Sequence, residues 1–146
     1  MKNRLLLVFC IAAMSFTGWQ PSFEKAKQIA KDEHRLILLN FSGSDWCGPC
    51  IRMRKEIFEN EAFTGFADSS LVLVNADFPR NKKNQPGKTV QAQNDQLADN
   101  YNASGKFPFT LLLDENGKII RTWDGLPNMS AQQFAVEIKA IADARK

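Results

Sequence analysis

Two cysteines separated by two residues, in the run Trp46-Cys47-Gly48-Pro49-Cys50, constrain this chain more than any other feature. The short apolar run Arg35–Phe41 before them predicts a buried strand, and the residues from Cys50 to Phe58 have helical character. Cys47 is therefore expected where a strand leads into a helix, with its sulfur at the helix N-terminus. Unpaired backbone N–H groups and the positive end of the helix dipole stabilise a thiolate there.

The spacing of the two cysteines also permits a reversible disulfide. Cys50 is expected one helical turn after Cys47 on the same face, close enough to bond to it. A free thiol has a pKa of about 8.5, and a helix N-terminus can lower that pKa into a range of roughly 3.5–7.5. Pro49 fits the first helical turn, where its missing N–H costs nothing. We predict that Cys47 attacks a partner disulfide and that Cys50 resolves the mixed disulfide.

The first residues of the chain have the pattern of a secretory signal. A basic start, Met1–Arg4, precedes the apolar stretch Leu5–Ala13, which is followed by small residues that suit cleavage. We assign residues 1–18 to a signal peptide with an approximate cleavage site, which predicts export to the periplasm or cell envelope. An uncleaved membrane anchor is the alternative, but the apolar run is shorter than the roughly 18 residues of a span. Bulky Phe9 disfavours a lipid anchor on Cys10.

The rest of the chain, residues 19–146, is expected to form a single domain, because its length suffices for one core. The net charge of +3 is too small to indicate a nucleic-acid partner. No dimerisation segment is evident, so we expect a monomer. A stretch from Pro79 to Asn94 carries four basic residues and no acid, which predicts a solvated loop that leads into a helix over Gln91–Tyr101. Guidance of an acidic partner is the alternative function of that stretch.

The sequence gives little support for other roles of the cysteine pair, such as a structural disulfide, a zinc site or haem attachment. Cleavage of the signal would remove Cys10 and leave no cysteine for a structural disulfide framework. A static disulfide between Cys47 and Cys50 would stabilise little, because the ring it closes is short. Zinc needs three or four protein ligands, and beside the pair the chain offers only His34. Haem attachment needs a histidine where Ile51 stands. We therefore expect neither metal nor cofactor.

The remaining pattern alternates helices and strands. Ser22 is expected to cap a helix over Phe23–His34, and the helix after the cysteines is expected to run to about Phe63. Leu71–Asp77 is typical of a strand, parallel to the first by the strand–helix–strand rule.

The C-terminal third predicts a hairpin and a helix. Phe109–Leu113 and Lys118–Trp123 predict the hairpin, with a type I′ turn at Asn116-Gly117. Ser130 and Gln133 form a capping box for the last helix. The sum is an α/β domain with a central mixed β-sheet and helices on both faces.

The unbroken Trp46–Cys50 motif resembles the redox motif of the thioredoxin family, and Phe107-Pro108 before the next strand is similar to a second landmark of that family. The resemblance extends from about Phe23 to the C-terminus. It implies the thioredoxin fold, with a cis Pro108 that faces the cysteines and a Phe107 whose backbone pairs with an extended substrate. It also implies that Trp46 helps to dock the partner and that Gly48 and Pro49 tune the redox potential.

The chain departs from the thioredoxin pattern beside the cysteines. Asn40 stands where the family carries a buried acid that helps to deprotonate the second cysteine, and Leu73 is expected near the place of its companion lysine. We predict that Cys50 depends on water or a partner group for loss of its proton. Asp45 is expected to be a loop residue and no catalytic base. Phe107 is bulkier than the residue usual in the family, which could narrow the choice of partner.

The resemblance implies an enzyme, a thiol–disulfide oxidoreductase, and its Gly-Pro dipeptide is similar to that of reducing members. Together with export, this predicts reduction of disulfides in envelope proteins through a Cys47–Cys50 cycle, with electrons from a membrane donor. Protein thiols and disulfides would then be the partners. Two alternatives stay open: a disulfide oxidant or isomerase of secreted proteins, and a non-catalytic binding module of the same fold.

Overall fold

A computed structural model describes residues 18–145 of the chain. The assigned signal peptide, residues 1–18, therefore lies outside the described residues except for Gly18. The helices and strands follow one another in the order β1 (Trp19–Gln20), α1 (Phe23–Glu33), β2 (Leu36–Ser42), α2 (Gly48–Met53), a π-helical turn (Arg54–Phe58), α3 (Glu61–Ser70), β3 (Leu71–Asp77), a 3₁₀ turn (Lys82–Asn84), α4 (Lys88–Tyr101), β4 (Phe109–Leu113), β5 (Ile119–Asp124) and α5 (Ala131–Asp143).

Five strands form one mixed sheet in the order β1-β3-β2-β4-β5. Strands β1 and β2 run parallel to β3, whereas β4 runs antiparallel to both β2 and β5. The two central strands β2 and β3 are almost entirely buried, as expected for a strand covered on both faces. The predicted mixed sheet, and the parallel pairing of its first two long strands, are confirmed.

Side chains alternate between two cores on the two faces of β2. Ile37, Leu39 and Phe41 are buried on one face, against α1 and α4. Leu38 points to the other face, which α2, α3 and α5 cover. Phe134 of α5 is fully buried there, with its ring centroid 4.9 Å from that of Trp123. The structure therefore has helices on both faces of the sheet, as the sequence predicts.

The helix after the cysteines is shorter than predicted. It does not continue to Phe63: the backbone N–H of Glu59 donates to the carbonyl of Arg54 across a π-helical turn, at 2.8 Å. Asn60 then caps a new helix, α3, because its side-chain oxygen accepts the N–H of Ala62 at 3.0 Å. A side chain that bonds the local backbone competes with helix continuation, and here it divides one predicted helix into two.

The hairpin between β4 and β5 is confirmed, but its turn is not type I′. That turn needs positive φ at both Asn116 and Gly117. Within residues 18–145 His34 is the only non-glycine residue with positive φ, whereas Gly117 has a φ of 84°. The carboxylate of Asp114 accepts the N–H groups of Asn116 and Lys118, and Gly117 donates to the Asp114 carbonyl. These bonds select a longer loop with glycine alone in the left-handed region.

The two predicted helix caps, at Ser22 and Ser130, are confirmed. The hydroxyl of Ser22 accepts the N–H of Lys25, and Ser130 and Gln133 form the full capping box of α5. Helix α4 begins at Lys88, earlier than the predicted Gln91.

Candidate active site

Cys47 and Cys50 form a disulfide at the start of α2, with an S–S distance of 2.09 Å and a Cα–Cα distance of 5.2 Å. Cys47 is the N-cap residue, so its carbonyl accepts the N–H of Ile51 at 3.1 Å. Its Sγ also accepts the N–H of Cys50 at 3.3 Å. A backbone N–H therefore already points at the Cys47 sulfur, and after reduction it would stabilise a thiolate there.

Hydrogen bonds fix the loop that precedes the disulfide. The carbonyl of Gly43 accepts the N–H groups of Trp46 at 3.2 Å and of Cys47 at 2.9 Å. Gly48 and Pro49 are exposed, whereas each cysteine is only 5% exposed. A partner that reaches the disulfide must therefore approach over the exposed Gly-Pro pair and the surfaces beside it.

Trp46 belongs to an aromatic cluster with Phe78 and Phe107. Its ring lies edge-to-face against Phe107, with centroids 5.5 Å apart, and Phe78 and Phe107 are in contact at 5.7 Å. The indole N–H of Trp46 donates to the carbonyl of Phe78 at 2.7 Å. The three residues come from three separate loops, so the aromatic cluster joins the cysteine loop to the Phe107-Pro108 segment.

The peptide bond between Phe107 and Pro108 is cis, and Pro108 is buried. Its carbonyl accepts the N–H of Gly125 at 2.9 Å. The next residue, Phe109, pairs with Phe41 near the end of β2. The structure thus places Phe107 and Pro108 at the same end of the sheet as the cysteines.

Asn40 takes part in a buried polar network. Its side-chain amide donates to Asn75 at 2.8 Å, and its oxygen accepts the hydroxyl of Thr110 at 2.9 Å. Asn75 lies directly opposite Asn40 in the sheet, and Leu73 pairs with Leu38. Two amides are therefore paired across neighbouring strands, and one of them, Asn40, stands where thioredoxins, by resemblance, carry a buried acid.

The polar network continues to a carboxylate near the cysteines. The hydroxyl of Ser42 lies 3.1 Å from oxygens of both Asn75 and Asp77. Cys50 and Asp77 line the same cavity of about 320 Å³, together with Asn40 and Ser42. Cys50 thus lines a cavity that has room for water and several polar side chains in its wall, and the acid in that wall is Asp77, at the end of β3.

A carboxyl group at position 40 should change how Cys50 reacts. We expect Asn40→Asp to make resolution of the mixed disulfide faster by about tenfold above the pKa of the new acid, because a carboxylate beside Cys50 can take its proton. Burial raises the pKa of such a group, so the protein should also lose stability as the pH rises through that pKa. Single-turnover kinetics as a function of pH measure the first effect, and thermal unfolding measures the second.

Asn102→Asp is the matched control for this change. Asn102 has the same 5% exposure and its side-chain amide is also hydrogen-bonded, here to the carbonyl of Lys106, but it is not among the residues that line the cavity. An unchanged resolution rate and pH profile in Asn40→Asp would contradict a role for position 40.

Asp45 attaches the loop after β3 to the cysteine loop. Its carboxylate accepts the backbone N–H groups of Arg80 and Asn81, each at 2.9 Å, and the side-chain amide of Asn84 at 3.0 Å. Hydrogen bonds from Arg80 first, then Asn84 and Asn81, lower the pKa of Asp45 below its ordinary value. Asp45 is therefore an anchor for this loop, which agrees with its prediction as a loop residue.

Acid should release this anchor. The folded-state pKa of Asp45 is lowered, so its contribution is complete above the unfolded-state pKa and is lost as the pH falls through the folded-state pKa. We expect NMR protection of the Arg80 and Asn81 amides to fall in that acidic range, and Asp45→Asn to weaken it at neutral pH. In the control Asp99→Asn, an exposed carboxylate of α4, protection should stay normal. The same protection in Asp45→Asn and wild type would refute the anchor.

Several residues of the site were not expected from the sequence. Phe78 and Asp77 follow an apolar strand without a motif of their own, and Gly43 looked like an ordinary loop residue. Polar residues at the end of a buried strand are a weak indication that an active site lies at that edge of the sheet. Asn75 and Asp77, at the end of β3, are such residues. These residues come together through contacts between loops that are more than 30 residues apart in the chain, and such contacts produce no local pattern in the sequence.

Among the described residues, no group of three or more histidine, cysteine or acidic side chains is placed to hold a metal. No helix within residues 18–145 has the length and apolar character of a membrane span.

A disulfide on the first turn of a helix, with a cis proline at the same sheet end, defines the site of a thioredoxin-type thiol–disulfide oxidoreductase. The family model of a thioredoxin-like domain matches residues 23–142. The chain belongs to the thioredoxin-like family.

Two curated proteins of Chlamydia pneumoniae are similar to this chain. The disulfide bond reductase DsbH is 38% identical over 100 residues, and the thioredoxin-related protein DsbJ is 28% identical over 103 residues. These matches cover 68% and 70% of this chain. They span 58% of the length of DsbH and 29% of that of DsbJ.

Solved structures agree with this assignment. A structure described as DsbH oxidoreductase has a TM-score of 0.78 at 29% identity, over 98% of this chain and 95% of that one. The disulphide isomerase from Xylella fastidiosa Temecula1 has a TM-score of 0.61 at 24% identity, over 93% of this chain and 99% of that one. The second similarity shows the fold alone.

Proposed function

We propose that this protein is an exported thiol–disulfide oxidoreductase that reduces disulfides of envelope proteins. The observation that carries the proposal is the Cys47–Cys50 disulfide at the N-terminus of α2. The similarity of this chain to DsbH, which is named as a disulfide bond reductase, supports the proposal that the protein reduces its partners' disulfides. The export step rests on the signal pattern of residues 1–18, and residues 19–146 would be the mature, monomeric domain.

The first step of the proposed reaction is attack by Cys47. The reduced thiolate of Cys47 displaces one sulfur of the partner disulfide, which leaves as a thiolate and takes up a proton. Cys47 is assigned this role because its sulfur accepts a helix N–H, whereas Cys50 lies within the helix and lines the cavity. The product is a mixed disulfide between Cys47 and the partner.

The second step releases the partner. The thiolate of Cys50 attacks the sulfur of Cys47, the second partner sulfur leaves as a thiol, and the Cys47–Cys50 disulfide forms. This oxidised state is the one that the structure holds. A dithiol donor must then return two electrons and two protons, and we assign that role to a membrane reductase.

Trp46, Phe107 and Pro108 are proposed to form the partner groove. The contact between Trp46 and Phe107 supports this assignment, because it joins the cysteine loop to the cis-proline segment. An extended peptide laid beside Phe107 could pair with its backbone and bring a disulfide to Cys47. Exposed Gly48 and Pro49 leave that approach open.

The redox potential tests the direction of electron flow. We would equilibrate the full chain, carrying Cys10→Ser, in glutathione buffers and count the free thiols of Cys47 and Cys50 by thiol trapping. A potential near that of thioredoxin, about −270 mV, would support the reductase. A value near that of the oxidant DsbA, about −120 mV, would make the protein a disulfide donor and overturn the proposed direction. Isolation of a native form that begins near residue 19 would support export.

A further inference from the structure

A cationic segment borders the active site. Arg80, Lys82 and Lys83, here called the basic loop, are exposed, and the chain has no acidic residue between positions 78 and 94. Within residues 18–145 none of the three forms a salt bridge. Their positive charge is therefore free to act on a molecule that approaches the site.

The basic loop is held close to the cysteines. The guanidinium of Arg80 lies 4.0 Å from the ring centroid of Trp46, the residue directly before Cys47. The Asp45 carboxylate accepts the backbone N–H groups of Arg80 and Asn81 in this loop. The two lysines lie in a 3₁₀ turn, which is capped where the Asn81 side chain accepts the N–H of Lys83. The backbone of the basic loop is thus held to the cysteine loop, and the charge of Arg80 lies over the residue that precedes Cys47.

Other basic side chains around the site already have acidic partners. Arg52 pairs with Glu56, Arg54 with Glu59, and Lys106 with Asp124, which borders the cis-proline segment.

The nearby carboxylates leave the charge of the basic loop largely in place. Asp45 accepts backbone N–H groups of the loop itself, and Asp77 accepts the N–H and hydroxyl of Ser44. Neither forms a salt bridge with Arg80, Lys82 or Lys83 within the described residues.

We propose that the basic loop is a docking surface for an acidic segment that lies beside the target disulfide of the partner. The inference rests on the proposed function for the nature of that partner, a disulfide-bearing protein. The guanidinium of Arg80 lies over the Trp46 ring, and a guanidinium held there can form two hydrogen bonds to one carboxylate. Fixed opposite charges raise the association rate, and salt weakens this effect.

Two synthetic peptides test the proposal. Both contain the same disulfide and a fluorescent label, but one has three glutamates beside the disulfide and the other has three glutamines. The second-order rate of reduction by the reduced full chain is measured at low and at high ionic strength. We expect the acidic peptide to react about tenfold faster at low salt, the lower end of the effect known for charge steering. At high salt the two rates should converge.

A charge-reversed variant and a matched control locate the effect. Lys82→Glu/Lys83→Glu changes two exposed side chains and should abolish or invert the preference for the acidic peptide. Lys31→Glu/Lys118→Glu changes the net charge by the same amount at the opposite end of the sheet, where α1 ends and the β4–β5 turn lies. The control should keep the preference. Equal loss in both variants would show a general charge effect and overturn the docking surface.

A binding measurement separates this inference from the proposed function. Fluorescence anisotropy of the same peptides is recorded with the Cys10→Ser/Cys47→Ser/Cys50→Ser chain, which has no cysteine left and therefore no redox chemistry. Reduction of both peptides at equal, salt-independent rates, with equal binding, would overturn the docking surface and leave the proposed function intact. Binding of the acidic peptide that needs Lys82 and Lys83, without reduction of either peptide, would support the docking surface and overturn the function. If the chain bound phosphatidylglycerol vesicles and did not bind the acidic peptide, the docking surface would also be overturned.

Discussion

Replacement of Cys50 by alanine should leave a protein that captures its partners and cannot release them. Cys47 keeps its place at the N-terminus of α2, so its thiolate still attacks the partner disulfide. The sulfur that resolves the mixed disulfide is absent. We therefore expect covalent complexes to accumulate on non-reducing gels and to disappear with dithiothreitol, while turnover falls on the order of a thousandfold.

Cys47→Ser gives the matched control for this capture. It removes the attacking sulfur and should give no covalent complexes, although turnover is lost to the same extent. Complexes that form equally in the Cys47→Ser/Cys50→Ala double variant would come from chemistry outside the pair. A Cys50→Ala protein that captures nothing would favour the non-catalytic binding module.

Gly43→Ala should disrupt the active site more than any other one-carbon change. A Cβ at position 43 would lie 2.2 Å from Cε2 of the Trp46 ring and 2.5 Å from its Nε1. The indole must therefore move, and it would lose its hydrogen bond to Phe78 and its contact with Phe107. We expect destabilisation by about 2–3 kcal/mol, which corresponds to a fall in Tm of roughly 10 °C.

The same change should also reduce activity. Trp46 directly precedes Cys47 and supports Arg80, so its displacement should raise KM for protein partners more than it lowers the intrinsic reactivity of Cys47 with a small disulfide. Thermal unfolding and kinetics with both substrate types measure the two effects. Gly65→Ala, at an exposed helical site with no atom within 4 Å of the new Cβ, should be neutral or stabilising by about 0.5–1 kcal/mol. Equal stability of the two variants would contradict this account.

The sequence predicts those parts of the molecule whose structure depends on residues close together along the chain. The buried strand before the cysteines, the capping box at Ser130 and the helix start at Cys47 all follow from short patterns, and the structure contains each of them. The cysteine pair could be placed for the same reason, because strand, loop and helix follow one another directly.

Other features depend on contacts that no short pattern records. Strand β1 has only two residues, Trp19 and Gln20, and it exists because the edge of β3 offers a parallel partner. The pairing of Asn40 with Asn75 is a second such contact, because the register of two strands depends on where each begins. The link from Asp45 to Arg80 spans 35 residues of chain and joins two loops that each look solvated alone.

The link between Asp45, Trp46 and the segment 78–84 has a consequence for protein engineering. The segment takes its shape from the Asp45 carboxylate and its position from the Trp46 ring. A graft of residues 78–84 alone into another scaffold would lose both supports and arrive as an unstructured insert. If Asp45 and Trp46 are transplanted with it, the segment keeps the hydrogen bonds and the ring contact that hold its conformation.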